Sequence, residues 1–552
     1  MRGTNMKNTI SMSKLVPVVM LALALLFTAS ARASAPGITG PTFTLTATDS
    51  FLTQPDGASV YSWGYGCTSA PSGYAPAAIA GAFCSNMQVP GPTLIVTEGQ
   101  TVTVTLTNSL PASAGNTSIL FPGFAVTTTG GVAGLMTQEA AHGGSVTYSF
   151  VASTPGTHSY YSGTQGDLQI EMGLYGAVIV LPSAVPTACT TGLAASNLTA
   201  EAAWGEKDFR LTNLSGAKGA AYDHAKTCYD REYLFQFAEM DPNIHNQALA
   251  QVKAITAGTC VASASNICPT TLNVPTEPYH PAYFLINGRS MPDDMDPNYA
   301  MEYPHQPYNG NPHMHPGEQV LIRVIGQGRW QHPFHEHGNH VRILGRDGNL
   351  ILSQTDATQL AGPLLFTTTT TPGVAFDGIF YWTGRGLNWD AYAHNPNSTD
   401  PNAKLPCTPD ANGYNTGAPT AINYYEWCQD HNKPLEVAPF GDVENGGPAT
   451  LPDANIFTNG AWYSGSPYLG PNATTRADGG SCTGVNTTTA CKTTGVTPPS
   501  GTIANSPSTE AGFAFMWHSH NEREITTSNA FPGGMLMMML VDSREFVIDE
   551  SN

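Results

Sequence analysis

Two short segments concentrate the side chains best suited to chemistry. The first reads His332-Pro333-Phe334-His335-Glu336-His337-Gly338-Asn339-His340. The second reads Trp517-His518-Ser519-His520, with Gly533-Gly534-Met535 downstream. Successive side chains on a strand point to opposite faces. His335 and His337 would then share one face with Glu336 opposed, and His518 and His520 would share one face with Ser519 opposed. Imidazoles presented in pairs are metal-ligand chemistry, and as neutral donors they suit Cu(II) or Zn(II). A third tract, His313-Met314-His315, precedes the Gly317-Glu318 turn. One such copy reads better as a solvated turn than as a copper-handling element. The two segments and the stretch just after the second also offer a Ser, a His and a carboxylate (Ser519, His332, Glu524). No nucleophile-elbow motif surrounds the serine, which argues against a hydrolase.

The elements that must position these residues are strands. Only 11% of the 552 residues are charged, and the chain holds 56 Gly and 42 Pro, a turn-rich composition. Leu94–Leu106 reads as two short strands around a Glu98-Gly99 turn, Val146–Val151 as a third, and Gly176–Leu181 as a buried closing strand. Similar patterns recur at Glu232–Phe237, Phe284–Gly288, Gly317–Ile325, Val341–Leu344, Gly378–Trp382, Gly512–Trp517 and Met535–Val541. Residues 42–182 and 230–545 thus read as two β-sandwich domains of the Greek-key kind. A connector of 183–229 joins them. An Asn-, Pro-, Gly- and Thr-rich insertion of about 386–510 interrupts the second. That insertion carries four of the ten cysteines, which favours a stapled segment covering a site or an interface.

Residues 1–35 read as a secretory leader: basic Arg2, Lys7 and Lys14, an apolar stretch Leu15–Thr28, and the small-x-small site Ala31-Arg32-Ala33. The expected location is secreted or periplasmic, with no membrane span. The net charge is −19, and losing the leader removes only basic residues. So acidic a surface argues against nucleic acid and anionic membrane as partners. Ten cysteines in an exported chain suggest disulfides. Proximity suggests Cys67–Cys84, Cys189–Cys228, Cys260–Cys268, Cys407–Cys428 and Cys482–Cys491, although spacing alone does not settle the pairing.

Several motifs in order resemble the multicopper oxidase family. Gln88-Val89-Pro90-Gly91-Pro92-Thr93-Leu94 with Glu98-Gly99, then Pro155-Gly156-Thr157-His158-Ser159-Tyr160-Tyr161-Ser162 and Gly173-Leu174-Tyr175-Gly176-Ala177, look like its N-terminal cupredoxin domain. Asn287-Gly288 and the two histidine segments look like its last domain. The resemblance implies an all-β fold of tandem cupredoxin-like Greek-key sandwiches. It also implies four copper-binding segments, and this chain departs from them. The first aligns with Leu120-Phe121-Pro122-Gly123 and the second with Tyr161-Ser162-Gly163, neither holding a histidine. Ser519 stands where the family has its copper-binding cysteine, and Glu524 aligns with a later histidine ligand. His332 and Met535 remain of that electron-transfer site. A serine hydroxyl cannot replace a thiolate, so no blue copper is expected.

The resemblance therefore implies metal ligands at His335, His337, His518 and His520, and at His332, although its old partners are gone. The expected cofactor is copper, one per chain, with zinc the alternative. Two function classes stay open. One is an exported oxidoreductase with a reduced copper complement and a mononuclear redox centre. It would draw electrons from a small molecule or a protein partner. The other is a non-enzymatic metal-binding or structural cupredoxin protein. Two-domain relatives assemble as homo-oligomers, so self-association is a further expectation. Tyr161 would place a phenol near a retained metal, though packing is the better account of it.

Overall fold

The computed structural model describes residues 35–76, 79, 81–206, 219–258, 269–385, 407–429, 465–469, 511–544 and 546–548. Residues 1–34, on which the expected leader falls, and Cys260, Cys268, Cys482 and Cys491 lie outside them. No helix among the described residues is long and apolar enough to cross a membrane.

Two five-stranded sheets face each other in the first half of the chain. Thr101–Asn108 alternates Thr outward with Val102, Val104 and Leu106 inward, and Ser145–Val151 pairs with it antiparallel in the same phase. Strict alternation is what a sheet with one wet face requires. Tyr175–Leu181 is buried at every position because it lies inside the second sheet, parallel to Leu94–Thr97. The inner faces meet over Trp63, Tyr65, Tyr148 and Tyr160. The Glu98-Gly99 turn forms as the sequence suggests, with Gly99 at φ 82°.

A second pair of sheets follows. One contains Arg231–Met240, Tyr283–Ile286, Gln319–Gly326, Ala375–Tyr381 and Val341–Arg346. The other contains His313–Met314, Leu536–Asp542, Ala511–Ser519, His332–Glu336 and Thr367–Thr370. Between them lies an aromatic and thioether core that includes Phe237, Phe334, Phe515, Trp517, Met535 and Met537. The two halves meet through a buried charge cluster. Asp377 accepts from Thr157 N (3.1 Å), Tyr222 Oη (2.5 Å) and Arg323 Nη1 (3.1 Å), and Arg323 also pairs with Glu232.

Two helices were not legible as such. Leu193–Trp204 occupies part of the connector. Pro242–Thr256 starts at an Asp241 cap, whose side chain accepts from Asn243 N at 2.9 Å. Its Ile244, Ala248 and Val252, spaced by four, join the core of the first sandwich. A segment that follows the connector thus completes the earlier core. The insertion contributes the Cys407–Cys428 disulfide and a strand, Gly465–Leu469, that pairs with Ala511–Ser519. Cys67–Cys84 and Cys189–Cys228 are also bonded.

Candidate metal centre

The site is built on two antiparallel strands, His332–Glu336 and Ala511–Ser519, in which His335 stands directly opposite His518 and Phe334 opposite Ser519. Phe334, Phe515 and Trp517 belong to the core. Alternation therefore turns His332, Glu336 and Ser519 inward and sends His335, His518 and His520 to the outer face. His337 follows the strand end, its N–H bonded to Met516 O at 3.2 Å.

On that outer face the imidazoles gather. Ring centroids are 4.8 Å apart for His335–His337, 5.4 Å for His335–His518, 5.2 Å for His337–His518 and 4.9 Å for His335–His520. Donor atoms of His335, His337 and His518 all lie within 4.8 Å of one another. His337 Nε2 and His518 Nε2 are 3.3 Å apart. Two nitrogens bound at about 2.0–2.1 Å to one tetrahedral ion sit roughly 3.3 Å apart, so this spacing fits a shared metal. His520 adds an exposed fourth ring.

Neighbouring groups orient the rings. His335 Nδ1 is 2.7 Å from Thr367 Oγ1, and His518 Nδ1 donates to Ser519 O at 2.7 Å, which turns its Nε2 toward the cluster. Such outer partners set the tautomer and hold the ring. Burial, then the imidazoles of His337, His518 and His520, press His335 down to about 4. Burial also lowers His518. Both are therefore neutral at physiological pH, the form a metal requires. The donor set fits copper or zinc. At the rim, half-exposed Phe366 packs edge-on against His335 and His340.

The inner face of the same strands is different. His332 is fully buried, with Nδ1 2.9 Å from Glu524 Oε2 and Nε2 2.9 Å from Glu239 Oε2. Both ring nitrogens donate, which is the doubly protonated form. Burial opposes that charge, but the hydrogen bonds to Glu239 and Glu524 outweigh it and hold His332 at about 9. The structure thus places His332 apart from the other four, in an ion-paired row. Ser519 Oγ extends the row by donating to Glu524. Because the serine bonds a carboxylate and not the imidazole, the Ser519 hydrolase geometry does not form. Met535 is buried nearby, its carbonyl accepting from Ser519 N at 2.9 Å.

The Leu120 and Tyr161 segments are neighbours in space, bridged by Leu120 N→Tyr161 O at 2.8 Å. Leu120 fills the space at Gly163, where a Cβ would meet Leu120 Cγ at 2.8 Å. The His-Met-His tract is not a solvated turn. His313 lies on the short strand His313–Met314 and His315 just after it, both buried, His313 on Asp542 (2.7 Å) and His315 on Glu206 (2.8 Å). Glu206, His315 and Glu318 do approach one another as a metal-ligand set would. Arg231 is bound between the two glutamates at 2.9 and 2.6 Å, and Arg544 stands 3.7 Å from Glu318, so two guanidinium groups already answer the two carboxylates. Sequence reasoning missed Glu239 and Thr367, which lie far along the chain from the histidine motifs and carry no motif of their own.

Residues 73–185 match the family model described as multicopper oxidase. A laccase of Aspergillus fumigatus is 38% identical over 100 residues, which is 18% of this chain and 16% of the laccase. The chain thus covers only a small part of that protein's length. Among solved structures, the multicopper oxidase mgLAC aligns with TM-score 0.41 at 15% identity, covering 92% of this chain and 87% of its own. A blue copper oxidase from Nitrosomonas europaea aligns with TM-score 0.42 at 13% identity, covering 91% and 85%. Residues 73–185 are thus similar to a multicopper oxidase domain.

Proposed function

We propose that the protein is an exported multicopper-oxidase relative with a reduced copper complement, a mononuclear copper redox protein built from domains at 42–182 and 230–545. The observation that carries this is the convergence of His335, His337 and His518 donor atoms on the outer face, with His520 beside them. On the inner face, Ser519, Glu524, His332 and Glu239 form a closed row in place of a thiolate copper site. No histidine lies in the Leu120-Phe121-Pro122-Gly123 or Tyr161-Ser162-Gly163 segments to complete a larger cluster.

A copper ion held by His335, His337 and His518 would supply one-electron redox chemistry. The chain's own residues do the rest. Thr367 and the Ser519 carbonyl hold two imidazoles in place, and burial keeps them unprotonated. Without a thiolate relay, electrons enter at the outer face, where His520 and Phe366 are exposed to a small reductant or a redox protein. The bonded cysteine pairs suit export to an oxidising compartment.

The test is to load the purified chain with Cu(II) and record metal content, visible absorption and EPR. The expected result is about one copper per chain, a type 2-like signal and no intense thiolate-to-copper band. His335→Ala and His518→Ala should each lose the metal with the fold intact. Failure to bind any metal overturns the proposal. Stoichiometric zinc in preference to copper overturns the redox role and favours a non-enzymatic metal-binding protein.

A further inference from the structure

The outer face that carries the histidines also carries a pair of thioethers. Met516 precedes His518 by two residues on Ala511–Ser519, so their side chains point the same way. Across the ladder to Leu536–Asp542, Met516 stands directly opposite Met538, two residues along from the His518–Leu536 pair and on the same face. Directly opposed residues hold their Cβ atoms about 4.5–5.5 Å apart, within reach of two flexible thioethers closing on one ion. In Met535-Leu-Met-Met-Met539, alternation sends Met535, Met537 and Met539 into the core, where they are fully buried. Met538 goes the other way and, like Met516, is only half-buried. The Met516 carbonyl accepts the His337 N–H at 3.2 Å, which ties the pair to the edge of the imidazole cluster.

We infer that Met516 and Met538 form a cuprous-ion site beside the histidines. Thioethers are soft, uncharged donors that select Cu(I) over the harder Cu(II) and Zn(II). Packing against Ala514 and Leu540 accounts for the body of Met538. Leucine would serve that packing equally well at both positions, so the paired sulfurs are what the site adds. The step is binding alone, with no electron transferred, and it holds whether or not the histidines carry a metal.

The test uses the whole chain under anaerobic conditions. Cu(I), supplied as its acetonitrile complex, is partitioned against a chromogenic bidentate Cu(I) chelator. Met516→Leu with Met538→Leu, which preserves the apolar packing, should weaken Cu(I) binding by about tenfold or more and leave Cu(II) loading unchanged. In the unaltered chain, Cu(I) or Ag(I), but not Zn(II), should slow peroxide oxidation of Met516 and Met538, read by peptide mass mapping. Unchanged Cu(I) binding in the double variant, or no protection of the two methionines, overturns the inference. His335→Ala, which tests the histidine centre, should leave methionine-dependent Cu(I) binding in place. Loss of both together overturns an independent thioether site.

Discussion

His332 sits between Glu239 and Glu524 with both nitrogens bonded, and its substitution gives the sharpest check on the inner-face network. Its folded-state value of about 9 exceeds the ordinary 6.5. Below about pH 6.5 the ring is protonated folded or unfolded, and the ion-paired row contributes in full. As pH rises further, the unfolded chain gives up the proton first and stability falls. Above about pH 9 the folded ring has lost it too, and the contribution is gone. The gap between 6.5 and about 9 corresponds to on the order of 3 kcal/mol. His332→Gln keeps hydrogen bonding but removes the charge. Urea unfolding, followed by Trp fluorescence with a chelator present and disulfides intact, gives the stability of both proteins. The excess stability of the unaltered protein over the variant should shrink by on the order of 3 kcal/mol between about pH 6 and about pH 9.5. An excess that stays constant across that range would mean that His332 is neutral in the fold, and the charged-row argument would fail.

Four further outcomes follow from other contacts. Thr367→Val removes the hydroxyl at His335 Nδ1 and should weaken Cu(II) binding about 10–100-fold in chelator competition, with little effect on the unfolding midpoint. Ser519→Cys should not restore an intense visible copper band, because His332 remains engaged by Glu239 and Glu524; a strong band would refute that account of the inner face. Ile244→Ala removes a helix side chain from the first core and should cost about 2–5 kcal/mol in urea unfolding. Cys189→Ser with Cys228→Ser opens a loop of sequence separation 39 and should lower stability by about 2–4 kcal/mol.

Much of the fold was legible because its strands obey a local rule. Thr101–Asn108 and Ser145–Val151 alternate so regularly that one wet and one dry face follow from the letters alone. The same rule grouped His335 with His337, and His518 with His520. It also separates Ser519 from them. The helix Pro242–Thr256 was harder to see, although Asp241-Pro242 is a good start signal and Ile244, Ala248 and Val252 repeat by four. Its apolar stripe is short, and the partner core lies in a different part of the chain. His313 and His315 misled for a related reason. A turn sequence flanks them, but their burial is set by Asp542 and Glu206, more than a hundred residues away in either direction. Ionic partners at that separation leave no periodicity to read.

The two faces of one strand pair carry different chemistry but share one backbone. Alternation places His332 and Ser519 inside and His335 and His518 outside, on a backbone register that pairs Phe334 with Ser519 and His335 with His518. Ser519 offers a hydroxyl and no thiolate, so it gives a soft-ligand copper no anchor, and His332 is buried with two polar nitrogens. A buried imidazole with unmet hydrogen bonds is costly. Glu239 and Glu524 meet both, and Ser519 donates back to Glu524, so the inner row is closed among protein groups. The strands are then held in register by that row and by Trp517, whose indole N–H donates to His337 O at 3.0 Å. The same contact fixes the backbone of an outer-face histidine. Substitutions that break the inner row should therefore loosen the geometry of His337 and His518, and metal binding on the outer face would report on them.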